Sequence, residues 1–552
     1  MDRAGGRLPS AFMNRSWTST LRREWSWAAA LAVGCALRAF RLLDQLPVDD
    51  EWHAIHRVLG SSYREIALDF GFVDHCIPLT LYLKLAAQTI GLNEWVLRAP
   101  SFLAGIALLI AAPLALRPQL GARGTRVFAW LLAIAPLLVF YSRFQRPYAI
   151  AILLSFLALV QFERWWREGR TRQALGYASC AAGSTYFLLP TLPFVAAPLA
   201  LMGVAVLSPK WALPARRLAL PGVSFAALCA LLLLPPLWSH PEAVLSKVGA
   251  ARPDLPALGR ALLFLAGTPT PWIAVGLFGL VLAGAWRARQ AAPLWLALAG
   301  SATVALLLGV LASAPRYAWL GFVIARYALP ALPVALACVA LAIEPPDASA
   351  RGRFARSLAA AALVVLLLWS GGVPATLLST RSWFPGRFVT ELEGAVPRSA
   401  SVPDFYRALA ASPSGSLTVV ESPWFYSLWN NLLPFYEQVH HQRTLVGFSA
   451  GACTDGHWGE IPPRSGIAFD GFAYLDDRPA LERRGVDFVV FHADLTAEME
   501  RVIDPIDARA TGQPDVRGCV QAFLDSDWPL VYRDSAIAVF AAPTTRALPR
   551  PE

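Results

Sequence analysis

Acid is missing from this chain where it is most apolar. No Asp or Glu occurs from Trp95 to Phe162 or from Leu255 to Ile343, and charged residues make up only 16% of the 552 positions. Stretches of that length without acid cannot form the solvated surface of an ordinary soluble protein. Cysteine is sparse as well. Seven are spread singly, five of them in or beside the apolar part, so a zinc ribbon and a CxxC redox pair are both excluded. Cys453 and Cys519 share the C-terminal part, and sequence separation alone leaves a disulfide between them open. There is no internal repeat and no low-complexity tract.

What is present is apolar mass. Hydrophobic residues make up 56% of the chain, Trp occurs 20 times and mean hydropathy is +0.46. These values indicate an α-helical polytopic membrane protein. The net charge of +10 divides unevenly: residues 1–376 carry 33 basic against 16 acidic side chains, and residues 377–552 carry 15 against 22. The basic surplus lies in short gaps between apolar runs rather than on one stripe, which excludes nucleic acid as a partner. The first run, Trp25 to Leu43, follows Arg3, Arg7, Arg15, Arg22 and Arg23 and has no small-residue cleavage site after it. It reads as an uncleaved anchor with a cytoplasmic amino terminus.

About 20 residues span a bilayer, and Lys and Arg should fill every second gap. The basic gaps are 117–126, 163–173, 208–217, 286–290 and 344–356; the opposite gaps are 44–96, 142–147, 186–190, 239–259 and 313–325. This parity predicts about eleven crossings, near 25–43, 97–116, 127–141, 148–162, 174–188, 191–207, 218–238, 260–285, 291–312, 326–343 and 357–376. The run Ile77 to Leu92 is too short to span and holds Lys84 and Gln88, so it is expected to lie along the outer interface. Residues 1–376 thus form a membrane-embedded domain. From Leu377 onward, short β-rich runs appear at Leu417 to Val420, Val486 to Phe491 and Leu530 to Phe540, the last with a hairpin signature around Arg533-Asp534-Ser535. Residues 377–552 are expected to form a soluble α/β domain, and an odd number of crossings places it outside the cytoplasm, on an inner or plasma membrane.

Half of the acids of the membrane part, eight of sixteen, fall between Asp44 and Glu94, and Asp49-Asp50-Glu51-Trp52-His53 is the densest group. Carboxylates at a helix start beside a low-dielectric membrane can act as general bases, because partial desolvation raises their proton affinity. The bland alternative is that they cap a surface helix and face water. His53 and His56, with Asp49 one turn before, have a spacing that could hold a metal, but such spacing is common by chance, and no metal is assigned. His440-His441 and the aromatic run Trp424 to Trp429 offer stacking surfaces for sugar, or simply core.

A series of short motifs points further. Asp50-Glu51 in the first outer loop is followed by Asp74-His75-Cys76-Ile77-Pro78-Leu79, by Glu94 with Arg98-Ala99-Pro100-Ser101 and Ala104-Gly105, by Tyr141-Ser142 with Arg146-Pro147-Tyr148, and by Arg326-Tyr327 with Leu329-Pro330-Ala331-Leu332-Pro333. In this order, over roughly residues 25–345, the chain resembles the dolichyl-phosphate-mannose protein mannosyltransferase superfamily of GT-C glycosyltransferases, which includes the bacterial aminoarabinose transferases acting on lipid A.

The resemblance implies a polyprenyl-phosphate sugar as donor and a first-loop carboxylate as catalytic base or acceptor-positioning group. Asp50 is the expected base and Glu51 its partner, with Asp49, His53, His75, Tyr148 and Tyr327 lining the cavity. Where the family often has a Glu just before the Arg-x-Tyr match, this chain reads Arg143-Phe144-Gln145, which leaves the acceptor class and the use of metal open.

Attack of an acceptor hydroxyl on the anomeric carbon needs a base, and positive charge for the departing phosphate; a general acid is not needed. The expected donor-phosphate ligands are Arg326, Arg146, Arg316 and Arg38. No cofactor is required by this chemistry, although it leaves room for a divalent cation. The acceptor, whether protein, lipid or polysaccharide, is not named by the sequence. A transporter or scramblase of a lipid-linked sugar is the alternative function; such proteins usually carry mid-membrane charge in both halves and internal pseudo-symmetry, and neither occurs here. A scaffold with an inactive membrane part is a third reading.

Overall fold

The computed structural model describes residues 17–43, 51, 54–55, 57–58, 61–71, 76–207, 216–245, 249, 252–315, 321–346, 352–370, 402–424, 436–448, 470–492 and 516–545. Asp49, Asp50, His53, His56, His75, Arg316, Cys453 and the aromatic run beyond Trp424 lie outside the described residues, and so does the side chain of Cys519.

The membrane part is helical. Among the described residues, seven helical stretches are long and apolar enough to cross a bilayer. Their outer faces carry what water would reject: Leu231 is 70% exposed and Val223 68%. On a soluble helix such a face would be an aggregation surface, and here it is a lipid-facing one.

In chain order the helices are α1 (Trp17–Ala39), α2 (Tyr63–Leu68), α3 (Ile77–Thr89), α4 (Glu94–Ile134), α5 (Pro136–Tyr141), α6 (Tyr148–Glu168), α7 (Thr171–Phe187), α8 (Leu192–Leu207), α9 (Arg216–Ser239), α10 (Glu242–Leu245), α11 (Leu255–Ala266), α12 (Pro271–Ala291), α13 (Pro293–Ser313), α14 (Phe322–Ala328), α15 (Leu332–Ile343) and α16 (Arg353–Trp369). A straight α4 of 41 residues would measure about 60 Å, twice the hydrocarbon thickness. Gly121, at φ +65°, breaks it. The two halves lie side by side, because Gly105 of the first half lies against Ser142, which follows the second. The sequence reading of two crossings here, 97–116 and 127–141, matches this break.

One crossing needs correction. Residues 260–285 were expected as a single span, but α11 ends at Ala266 and a new helix begins at Pro271 after Gly267-Thr268-Pro269-Thr270. Pro271 cannot donate a backbone hydrogen bond and so starts a helix rather than continuing one.

The gaps sort into two ends as charge parity requires. At one end Gln119 Nε2 donates to Glu163 Oε2 at 3.0 Å, Arg217 Nη1 donates to Trp166 O at 3.2 Å, Arg287 donates to Leu341 O at 3.3 Å, and Arg356 Nε donates to Glu344 Oε2 at 3.4 Å. Gly121 lies beside Pro346. The described residues of all five basic gaps therefore gather at one end. At the other end Glu51 meets the 142–147 segment, and Phe70 and Ile77 pack with Tyr186, Leu189, Leu237 and Val244.

Among the described residues, the C-terminal part holds a six-stranded sheet in the order β3-β2-β1-β4-β6-β5. The strands are β1 (Thr418–Trp424), β2 (Arg443–Phe448), β3 (Phe472–Tyr474), β4 (Phe488–His492), β5 (Leu530–Arg533) and β6 (Ile537–Ala541). β3, β2, β1 and β4 run parallel, and β6 and β5 antiparallel. The helices α17 (Asp404–Ala410), α18 (Glu437–His440), α19 (Arg478–Arg483) and α20 (Val516–Leu524) accompany it.

The expected hairpin is present. Asp534 Oδ1 accepts the backbone N–H groups of Ala536 and Ile537, both at 2.7 Å, which fixes the turn. The sheet joins the membrane part at the end away from the basic gaps: the Gly471 N–H donates to Glu94 Oε1 at 3.4 Å, at the first residue of α4.

Candidate active site

Glu51 stands in helical backbone and is fully buried, although it belongs to the most acidic loop of the membrane part. Burying a carboxylate costs several kcal/mol unless its oxygens are met by donors. They are. Arg98, one turn into α4 and also fully buried, donates Nε to Oε1 at 3.1 Å and Nη2 to Oε2 at 3.0 Å. This is the paired geometry in which a planar guanidinium binds a carboxylate most strongly. The backbone N–H of Gln145 donates to Oε1 at 2.8 Å, and Arg98 Nη1 donates to Leu42 O at 2.9 Å. One carboxylate thus fastens the first loop to α4 and to the segment between α5 and α6.

That segment, Ser142 to Pro147, carries Arg146 and is held from several directions. Ser101 of α4 donates its hydroxyl to Arg146 O at 2.9 Å, Arg143 Nη2 donates to Phe40 O at 2.7 Å, and Arg38 Nε donates to Ser142 Oγ at 3.2 Å. Gly105 is required for this approach, since a Cβ there would overlap Ser142 Oγ. A non-helical backbone at this depth is tolerated only because its polar groups are answered in this way.

Arg38 also has partners that explain its burial. Pro136 has no N–H, so Leu132 O loses its helical donor, and the break between α4 and α5 leaves Ala133 O exposed to the same deficit. Arg38 Nη2 donates to Leu132 O at 3.2 Å, and Nη1 to Ala133 O at 3.1 Å and Gly34 O at 2.9 Å. It caps a helix break inside the bundle.

Aromatic rings connect the segment to α14. Tyr141 and Tyr148, which flank it, have ring centroids 4.4 Å apart. Tyr141 stacks on Phe322 at 6.3 Å and 16°, and Phe322 packs on Phe264 at 5.3 Å. Arg326 follows Phe322 by four residues and so lies on the same side of α14. It is half-buried, with its guanidinium 5.1 Å from the centroid of the Tyr327 ring. Glu51, the Arg146 segment, Tyr148 and the helix bearing Arg326 and Tyr327 are therefore joined by direct contacts.

Two members of this group were not assigned roles from sequence. Arg98 was visible as a basic residue in the first turn of an apolar helix, a place where charge must find a partner. Gln145 gave less signal. It is fully buried, its backbone serves Glu51, and both its side-chain polar atoms are without hydrogen-bond partners among the described residues. Among the described residues, no three His, Cys, Asp or Glu side chains gather as a metal site.

No family model matches the chain, and no curated protein matches it. Among solved structures, the chain is similar to ArnT from Cupriavidus metallidurans bound to undecaprenyl phosphate, at 15% identity and a TM-score of 0.47 over 95% of this chain and 98% of that one. The apo state of the same protein gives a TM-score of 0.46. The oligosaccharyltransferase of Archaeoglobus fulgidus, in complex with Zn and sulfate, is similar at 15% identity and a TM-score of 0.43, over 94% of this chain and 73% of that one.

Proposed function

We propose that this chain is an integral membrane glycosyltransferase that takes a sugar from a polyprenyl-phosphate donor and places it on an acceptor at the face opposite the basic gaps. The observation that carries this reading is the buried Glu51 carboxylate, which binds Arg98 and the Gln145 backbone at once. It fastens the first outer loop, at Glu51, to the segment bearing Arg146. The motif series over residues 25–345 supports the same reading.

In this mechanism Glu51 is committed to its partners and serves as the clamp, and Asp50 is the base. Asp50 takes the proton of an acceptor hydroxyl as its oxygen forms a bond to the anomeric carbon. The bond from that carbon to the phosphate oxygen breaks, and the polyprenyl phosphate leaves as an anion. Arg146 and Arg326, from two elements joined through Tyr141 and Phe322, balance that anion, with Arg316 as a further candidate. Arg38 is reserved for the helix break that it caps. The positive-inside rule assigns the basic gaps and the amino terminus to the cytoplasm and the sheet domain to the exterior.

The test is transfer of radiolabelled sugar from polyprenyl-phosphate donors by purified protein in lipid nanodiscs. Asp50→Asn should abolish transfer while expression and membrane insertion stay at wild-type levels. Near-normal turnover by that variant removes Asp50 as the base, and absence of transfer from every polyprenyl-phosphate sugar by the wild-type chain removes the function.

A further inference from the structure

Strand β2 divides its side chains between two cores. Leu445 packs in the core of the sheet domain, whereas Val446, the next residue, packs in the apolar core of the membrane part, and neither is more than 1% exposed. Successive residues of a strand point to opposite faces, so one face of the sheet at β2 lies on the bundle. A polar contact fastens it there as well. Gly471, which precedes β3, accepts the Val446 N–H at 2.9 Å and donates its own N–H to Glu94 Oε1 at 3.4 Å.

Glu94 is buried at the first residue of α4. A carboxylate in that place needs compensation, and it comes from both sides of the junction. Arg98 of the membrane part and Arg484 of the sheet domain both lie within electrostatic reach of Glu94, with the like charge of Asp470 opposing. Residues four apart share a helix face, so Glu94 and Arg98 stand one above the other on α4. Arg98 is the side chain that binds Glu51 through two parallel bonds, and Glu51 in turn accepts the Gln145 N–H. The same turn of α4 is held by Asn93, whose side chain accepts the Val96 N–H at 2.9 Å, and by Tyr82 of α3, whose hydroxyl donates to Val96 O at 2.9 Å.

We propose that the sheet domain is a positioning element of the membrane site, acting through Glu94. The Val446 face and the Gly471 turn set the first turn of α4, and through it the Arg98–Glu51 clamp and the segment that carries Arg146. Glu94 acts through Arg98 and is a positioning residue, not a catalytic one. An apolar side chain at position 94 would join the two parts without the desolvation cost of a carboxylate. The carboxylate adds a fixed direction, from Gly471 to Arg98. The effect on catalysis rests on the function proposed above, and the coupling of the sheet to the 142–147 segment does not.

The experiment is hydrogen exchange by mass spectrometry on the full-length protein in nanodiscs, paired with kinetics of sugar transfer from a polyprenyl-phosphate donor. Glu94→Ala removes the acceptor from the membrane side, and Val446→Ala thins the contact from the sheet side. Each should speed exchange of the 142–147 segment about threefold or more, the scale of one lost hydrogen bond, while β4 and β6 keep wild-type protection. Glu94→Gln keeps an oxygen for Gly471 and should restore most of that protection. Because both Ala substitutions break one junction, the double variant should go little beyond the larger single effect. Transfer by Glu94→Ala should fall about threefold to tenfold in kcat/KM and recover in Glu94→Gln.

Unchanged exchange of the 142–147 segment in folded Glu94→Ala and Val446→Ala variants would overturn the proposal. So would faster exchange spread evenly over α4, β4 and β6, which marks a general loss of structure, or a Glu94→Gln variant as loose as Glu94→Ala. A wild-type chain that transfers no sugar while its variants show the expected exchange keeps the coupling and removes only the function proposed above.

Discussion

Arg98 grips Glu51 across 47 positions of sequence with two side-by-side hydrogen bonds, Nε to Oε1 at 3.1 Å and Nη2 to Oε2 at 3.0 Å, and neither side chain is exposed. A buried pair of this kind owes little of its effect to net attraction, because desolvation offsets most of the Coulomb energy. Its effect appears when one partner is removed. Arg98→Ala leaves the buried carboxylate without its guanidinium partner, with Oε2 unmet, and should cost about 3–5 kcal/mol, seen as a lower melting temperature in nanodiscs. Arg98→Lys keeps the charge but loses the second parallel bond, so it should also fall well short of wild type. If Glu51→Gln combined with Arg98→Ala is no more stable than Arg98→Ala alone, the two side chains are not coupled as described.

Gly105 provides an independent check on the same segment. A methyl group there meets Ser142 Oγ, which receives the Arg38 Nε bond and itself donates to Leu138 O at 2.5 Å. Gly105→Ala should therefore push Ser142 away and loosen the segment bearing Arg146. Overpacking of this kind costs about 1–3 kcal/mol. The expected result is a several-fold fall in transfer, and adding Ser142→Ala should relieve part of it. An unaffected Gly105→Ala enzyme would show that the segment does not need this support.

The sequence carried the two ends of the bundle because charge is excluded from hydrocarbon. Arg117 to Arg126 and Arg351 to Arg356 were expected at one end, and the contacts of Gly121 with Pro346 and of Glu344 with Arg356 bring the described residues of both gaps there. The break at Gly267 to Thr270 was equally readable, but total apolar length outweighed the Pro271 signal. Arg38 was not readable in the same way: two of its acceptors are backbone carbonyls, 95 and 94 positions away, that lack helical donors at the Pro136 break, and a carbonyl leaves no mark on residue identity. The order of the parallel strands was hidden for a related reason. β1 pairs with β2 and β4 through backbone groups from distant segments, whereas the β5–β6 hairpin is local and is announced by Asp534.

The different task of Arg38, which answers carbonyls at a helix break, gives a kinetic prediction. If Arg146 and Arg326 balance the donor phosphate, Arg326→Ala and Arg146→Ala should raise KM for the lipid donor and lower kcat, for a combined loss of roughly a hundredfold in kcat/KM, as removal of a transition-state donor does. Arg38→Met should instead lower thermal stability and leave KM for the donor within about twofold of wild type, because the side chain answers Leu132 O and Ala133 O. A large KM effect from Arg38 with little change in stability would return it to the phosphate site.

The tail domain should weaken in mild acid through His440. Burial, and secondarily the neighbouring His441, lowers its pKa from 6.5 to about 4 in the folded chain. Above about pH 6.5 the ring is neutral in both folded and unfolded states, and the full stability is present. Between pH 6.5 and about 4 the unfolded chain takes up a proton that the folded chain refuses, so stability falls as pH falls, and the loss levels off below about 4. The size of the shift corresponds to a few kcal/mol at most, about 1.4 per unit. Hydrogen exchange of α18 and β2 in the intact protein should therefore quicken between pH 7 and 5, and His440→Phe should flatten that dependence, since its ring cannot take up a proton in either state. A wild-type exchange profile that keeps the same protection over this range, after correction for intrinsic exchange, would show that His440 is not held neutral by the fold.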